Sequence, residues 1–177
     1  MEMSNEMLEV MKCRRSIRKF TEEKLTGEEV EKILKAGLLA PSSKNKRPVE
    51  LILVENRETI KALKNCKNMG TVALDTAPCA IAVIADTRKS DVWVEDASIA
   101  AAMMMLAAES LSLGSVWIQI RNRRSDSADS EAEVRKVLHI PEYYGVLNIL
   151  ALGRKAEEKA PYTEEDINLS SVRKEQF

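Results

Sequence analysis

Five basic side chains, Lys12, Arg14, Arg15, Arg18 and Lys19, surround Ser16 with no acidic residue among them. Like charges this dense repel one another, and the chain as a whole does not call for them: 27 Lys plus Arg stand against 28 Asp plus Glu, a formal net charge of −1. The pattern suits an anion, because guanidinium forks and a hydroxyl match the several acceptor oxygens of a phosphate. Arg14 and Arg18 fall on one side if the local trend is helical. The competing reading is a helix carboxyl end, where cations favour the dipole and can pair with Glu22 or Glu23.

A second polar segment, Ser42-Ser43-Lys44-Asn45-Lys46-Arg47, is bounded by Pro41 and Pro48. Prolines at both ends predict a fixed loop whose hydroxyls, amide and cations can bond a polar heteroaromatic ring or a sugar-like chain. An ordinary connector is the alternative. Trp117 and Gln119 share a predicted strand, where a tryptophan taken alone is more often a packing residue, and Gly153-Arg154 follow another, where Arg154 can be a solvated surface charge. The single histidine, His139, closes a polar helix and reads as structural. Walker loop, dinucleotide glycine fingerprint, metal-protease helix and nucleophile elbow are all missing from the sequence. Without an acid, base or nucleophile constellation, an enzyme built here needs a cofactor to carry the electronic step, which points to redox chemistry.

The elements that must position these residues are legible in periodicity and punctuation. Ser4 caps a first helix carrying Met7, Leu8, Val10 and Met11 and ending near Arg14. Thr26 with Glu29 forms a capping box before Val30, Ile33, Leu34 and Leu38, and Pro41 forbids continuation. Strands are predicted over 49–54, 79–85, 115–120 and 146–152, and shorter helices over 57–64 and 129–138. A long Ala- and Met-rich helix over 91–113, stopped by Gly114, is apolar nearly all round in its middle and so belongs at the centre. The charged tail, 155–177, has Tyr162, Ile167, Leu169, Val172 and Phe177 to anchor it across a neighbour, with disorder as the competing expectation.

At 177 residues the chain predicts one domain, 1–177, without repeats, linkers or low-complexity tracts. Near-neutral charge and 4% aromatic residues argue against a generic nucleic-acid binder or a base-stacking platform. Cys13, Cys66 and Cys79 are odd in number and widely spaced, hence read as reduced thiols. The acidic start, with Glu2, Glu6 and Glu9, lacks a signal peptide's features, and the uncharged stretch Ile99 to Ala108 is too short for a span, so a cytoplasmic protein is expected.

Arg14-Arg15-Ser16-Ile17-Arg18-Lys19-Phe20, followed after a helix by Ala40-Pro41-Ser42-Ser43-Lys44-Asn45-Lys46-Arg47-Pro48, resembles the nitroreductase family of flavin enzymes. The resemblance continues through Ala77-Pro78, the Ala-rich helix, Leu113-Gly114-Ser115-Val116-Trp117-Ile118 and Ala151-Leu152-Gly153, covering about residues 8 to 155. It implies an α+β fold with a mainly antiparallel sheet packed with helices around a central buried helix. It also implies a homodimer with FMN at two sites formed between protomers. By similarity, Arg14, Ser16 and Arg18 bind the FMN phosphate or ribityl portion, and Arg15 adds a main-chain or side-chain contact. Pro41, Ser42, Ser43 and Asn45 approach from the partner, Trp117 and Ile118 lie at the cofactor, Gly153 and Arg154 close the site, and the tail packs on the partner protomer.

The implied reaction passes two electrons from NAD(P)H through FMN to a nitroaromatic, quinone or similar conjugated acceptor, with no catalytic side chain beyond the flavin. Two departures from common members stand out. Lys44, Lys46 and Arg47 make the loop more basic, which suggests an anionic or electron-rich acceptor. A long helical insertion after the central helix is lacking, and Arg121-Asn122-Arg123-Arg124 are either near the pocket mouth or a solvated loop. The alternatives are a flavin-binding protein without efficient turnover, separable by bleaching with NAD(P)H, and a phosphate- or polyanion-binding module, which would be colourless with a steep salt slope.

Overall fold

The computed structural model describes residues 6–177, so the expected cap Ser4 lies outside the described residues. Among them, helices α1 (Glu6–Cys13), α2 (Gly27–Leu38), α3 (Arg57–Lys64), α4 (Trp93–Ser110) and α5 (Ser130–Leu138) alternate with strands β1 (Val49–Val54), β2 (Cys79–Asp86), β3 (Leu113–Gln119) and β4 (Tyr144–Arg154). The sheet runs β1-β2-β4-β3 with every pairing antiparallel. Both of its faces are covered, which is why β2 is buried along its whole length and reads as a continuous apolar run. Ile33 and Met104, from α2 and α4, pack on one face with Ile81 and Leu150. Ile60, Leu63 and Val134, from α3 and α5, pack on the other with Ala82 and Ile149. The α+β expectation with an antiparallel sheet holds.

The capping box of α2 forms as its spacing predicts: the Glu29 N–H donates to Thr26 Oγ1 at 3.2 Å and the Thr26 N–H to Glu29 Oε2 at 2.8 Å. Such a cap contributes about 1 kcal/mol. The end of α4 differs from expectation. The helix stops at Ser110, and Ser112, in the left-handed region at φ 60°, turns the chain before Gly114 is reached. Gly114 is instead inside β3, where it has another use described below.

Helix α4 is also less central than its composition suggests. Asp96, Ala97, Ala100, Ala101, Met104, Met105 and Ala108 are buried, but Ile99 is 40% exposed, Ala102 is exposed and Met103 and Leu106 are only half-buried. An apolar stripe of the helix therefore lacks cover within one chain. No helix of the described residues is long and apolar enough to cross a membrane.

Candidate functional site

The basic segment owes its place to two apolar residues inside it. Ile17 and Phe20 are 2% and 4% exposed and insert into the same core as α3 and α5. They pack over Gly114 and Gly153, which are direct cross-strand partners on β3 and β4. A Cβ on Gly114 would come within 2.9 Å of Ile17, and one on Gly153 within 2.9 Å of Phe20 and 2.7 Å of Pro78. The glycine pair thus makes the bed on which the segment lies. Main-chain bonds fix the register: the Ile17 N–H donates to the Ser115 carbonyl at 3.0 Å and the Thr21 N–H to the Arg154 carbonyl at 3.0 Å. Gly153, expected at the cofactor, serves here as a packing surface for Phe20.

With Ile17 and Phe20 pointing in, the polar residues between them are left at the surface, and their partners sort them. Lys12 pairs with Glu164 at 2.6 Å and Glu9 at 3.2 Å, which raises its pKa. Arg15 lies over the Tyr162 ring at 4.4 Å and bonds the Ala160 carbonyl. The guanidinium of Arg14 and the hydroxyl of Ser16, both half-buried, have no partner among the described residues, and the Arg18 guanidinium makes only a 3.5 Å contact to the Ser16 carbonyl. Glu22 and Glu23 do not neutralise the run. Glu23 pairs with Arg154 instead. Arg14, Ser16 and Arg18 remain as a set of side-chain donors without a carboxylate partner among the described residues, chemically matched to a phosphate.

The tail assists this arrangement within its own chain. Glu157 accepts from the Arg18 N–H, a bond that lowers the carboxyl's pKa, and Lys159 donates to the Ser16 carbonyl. The Tyr162 N–H donates to the Lys12 carbonyl at 3.0 Å. Residues 156–164 therefore lie on the basic segment of the same chain, whereas the expectation put the whole tail on a partner. Beyond them Leu169, Val172 and Phe177 are exposed.

Arg154 is engaged: its guanidinium reaches Glu23 and, at 3.1 Å, Glu29 on α2, and the two carboxylates raise its pKa, Glu23 more than Glu29. Trp117 is half-buried, packs against the α2–α4 core and donates to Gln119 Oε1 at 2.8 Å. Ile118 is turned away. Its side chain is 1% exposed in the opposite core. Because the Ser115 carbonyl bonds outward to Ile17, antiparallel alternation directs the main chain of Trp117 and Gln119 to the free edge of β3 and that of Ile118 inward to β4. The correction follows from strand parity: Trp117 and Gln119 face the edge, and Ile118 does not.

The proline-flanked loop is organised from inside. Ser42 Oγ accepts from the Arg47 N–H at 2.9 Å, Asn45 Oδ1 accepts from Arg47 Nε at 2.9 Å, and Lys44, Asn45 and Arg47 all sit at positive φ. Non-glycine residues held there carry backbone strain that surrounding contacts must offset. One such contact went unnoticed in the sequence. The Ser43 N–H donates at 2.8 Å to Asp96, a buried carboxylate in the first turn of α4 whose other oxygen accepts from Ser90 Oγ at 2.9 Å. An acid at the apolar helix's boundary was the available signal. A cavity of about 280 Å³ opens beside the loop, lined by Pro41, Ser42, Arg47, Asp96 and Ala100 among others. Lys46 approaches Asp91 at 3.7 Å and Arg47 Nε donates to the neutral Asn45 amide, so Lys44 and Arg47 keep their charge without a carboxylate partner among the described residues.

The two segments are far apart in one chain. Asp96 holds the loop at the start of α4, while Glu109, near its end, pairs with Lys155 at 2.7 Å beside the basic segment. At ~1.5 Å per helical residue that interval is about 20 Å. The two segments therefore lie toward opposite ends of α4. Among the described residues no group of three or more His, Cys, Asp or Glu is placed to hold a metal.

Comparison with known proteins agrees with this architecture. A family profile described as the nitroreductase family matches residues 11–71 and 65–154. The chain is similar to the structure of an FMN-dependent nitroreductase from Clostridium difficile R20291, with a TM-score of 0.94 and 43% identity over 96% of this chain and 99% of that one. It is 37% identical, over 91% of its length and 92% of the relative's, to an Archaeoglobus fulgidus protein whose name provisionally assigns it as an NADH dehydrogenase/NAD(P)H nitroreductase. The Vibrio harveyi NADPH:FMN oxidoreductase, solved with NAD+, superposes with a TM-score of 0.83 at 26% identity, covering 98% of this chain and 78% of that one.

Proposed function

The chain belongs to the nitroreductase family, and from that premise we propose that it is an FMN-dependent NAD(P)H oxidoreductase whose two sites lie between two copies of the chain. The observation that supports this is the donor set Arg14, Ser16 and Arg18 beside the free edge of β3, whose side chains have no carboxylate partner among the described residues, with a preorganised loop toward the other end of α4 that a second copy would bring to it.

When bound, FMN supplies the redox chemistry, accepting a hydride from NAD(P)H and passing two electrons to a conjugated acceptor such as a nitroaromatic or quinone. Arg14 and Arg18 hold the phosphate through charge-assisted bonds, and Ser16 Oγ adds a donor. The outward main chain of Trp117 and Gln119 offers donors and acceptors along the β3 edge. Pro41, Ser42, Ser43 and Asn45 of the second copy cover the ring and exclude water, held in shape by Asp96. Arg154 acts as a positioning residue, tying β4 to α2 through Glu29. The uncovered stripe of α4 at Ile99, Met103 and Leu106 and the exposed end of the tail at Leu169, Val172 and Phe177 supply apolar surface for the homodimer.

Purified protein is expected to be yellow with about one FMN per chain, bleached by NAD(P)H and restored by acceptor. Complementation tests the shared site directly. In a mixed dimer of an Arg14→Ala chain with an Asp96→Asn chain, one site carries both defects and the other carries neither, so half the flavin binds with wild-type affinity. If each site belonged to one chain, both would be damaged, and the absence of any wild-type-affinity population would sink the two-chain reading.

A further inference from the structure

A second basic cluster remains at the opposite end of β3. Arg121, Arg123 and Arg124 follow the strand, and the loop after α3 brings Lys67 beside them. The Asn68 N–H donates to the Arg124 carbonyl at 3.3 Å, and the Ser130 N–H donates to that of Arg123 at 2.9 Å, so main-chain bonds lock both loops together. Arg121 is turned back over the Trp93 ring at 5.7 Å. Lys67, Arg123 and Arg124 have no ion pair among the described residues. The nearby Asp129 carboxylate is occupied in capping α5, accepting from the Glu131 and Ala132 N–H groups at 2.9 and 3.2 Å. Burial and, after it, the Arg123 charge push the Lys67 ammonium below its usual pKa, as expected for cations gathered without an anion.

We propose that Lys67, Arg123 and Arg124 form a second anion site, which receives a phosphate-class or carboxylate group carried by a molecule that reacts with the bound flavin. The proposal rests on the two-chain FMN reading. With the phosphate tail held at the Ser115 end of β3, the redox partners meet the ring at the other end. From Ser115 to its end at Gln119 the strand spans about 13 Å at ~3.3 Å per residue, and Arg121 follows in the turn beyond it. One chemistry has two sources here: the 2′-phosphate that distinguishes NADPH from NADH, or an anionic substituent on the acceptor. Guanidinium groups suit either, and Arg123, whose Nη1 donates to the Asn122 carbonyl at 2.9 Å, keeps its other N–H donors.

The test compares FMN-loaded wild type with Arg123→Glu/Arg124→Glu, Lys67→Gln and the charge-conserving Arg123→Lys/Arg124→Lys, all checked for flavin content and melting temperature. If the donor is the source, the double Glu variant raises the NADPH KM and the dissociation constant of adenosine 2′,5′-bisphosphate about tenfold or more, as for lost charge-assisted bonds. The NADH KM then stays within about twofold and the Lys variant recovers most of the loss. If the acceptor is the source, the KM and dissociation constant of 4-nitrobenzoate rise in the same way, while those of a neutral nitroaromatic do not. Either result supports the site. Equal losses for charged and neutral probes, or no loss greater than about twofold for any anion, overturn it. Calorimetric titration of both anions needs no turnover, so it still reads the cluster if the protein fails to take up FMN, and that failure would count against the FMN reading alone.

Discussion

The basic segment 14–19 and the loop 41–48 look alike as sequence, both short, polar and rich in cations, yet the fold treats them oppositely. In the first, apolar Ile17 and Phe20 are the anchors and the polar groups are left over. In the second, polar groups satisfy one another and a buried carboxylate, so the loop is held in shape from inside. Free donors are what bind an anion, because they give up only water when it arrives. Spent donors are what make a rigid cover, since the entropy of ordering them is already lost. The difference supports the separate tasks proposed for the two segments.

The comparison breaks most visibly at the bed of the basic segment. Gly153→Val places carbons where Phe20 and Pro78 already sit, and overpacking of this kind should cost about 3 kcal/mol. For a chain of this size that lowers the melting temperature by roughly 6–12 °C, read by calorimetry, with flavin content falling alongside. An unchanged melting temperature would mean the anchors do not hold the segment. Arg14→Ala should leave the flavin-free melting temperature alone and weaken FMN binding by about 1.5–3 kcal/mol, seen in flavin fluorescence titrations, because a free guanidinium contributes to the ligand and not to the fold. Asp96→Asn should act the other way round. It keeps the shape but removes the charge that the Ser43 N–H and Ser90 hydroxyl bond, loosening the cover and weakening FMN binding by about 1 kcal/mol, with an effect that follows the partner's site in mixed dimers.

The smallest expected effect sharpens the contrast through pH. The Arg18 N–H bond holds Glu157 below its ordinary carboxyl pKa of 4.5. A depressed folded pKa contributes stability that is present above the unfolded value and lost as pH falls through the folded one. Hydrogen-exchange protection of the Arg18 amide should therefore drop as pH falls below the usual carboxylate range, and Glu157→Gln should remove that dependence. Protection that stays flat in the wild type would detach the tail from the basic segment's support.

Much of this was present in the order of residues. The capping box at Thr26 and Glu29, the β1 and α3 boundaries and the amphipathic α5 depend on neighbours within a few positions, so local chemistry settled them. The density of like charge around Arg14, Ser16 and Arg18 was legible for the same reason, since it needs no fold to be noticed. Other features required partners distant in the chain. Whether Arg154 was free depended on Glu23 and Glu29, some 130 positions earlier, and whether Ile118 faced the edge depended on the pairing register of β3 with β4. That Gly114 was a bed and not a helix stop required Ile17 to lie over it. Residue types and short-range spacing thus determined the elements and the kind of ligand. Tertiary structure alone decided which charges remained unpaired and that the basic segment and the loop lie toward opposite ends of α4, because neutralisation, burial and reach are properties of distance in space, and sequence separation does not encode them.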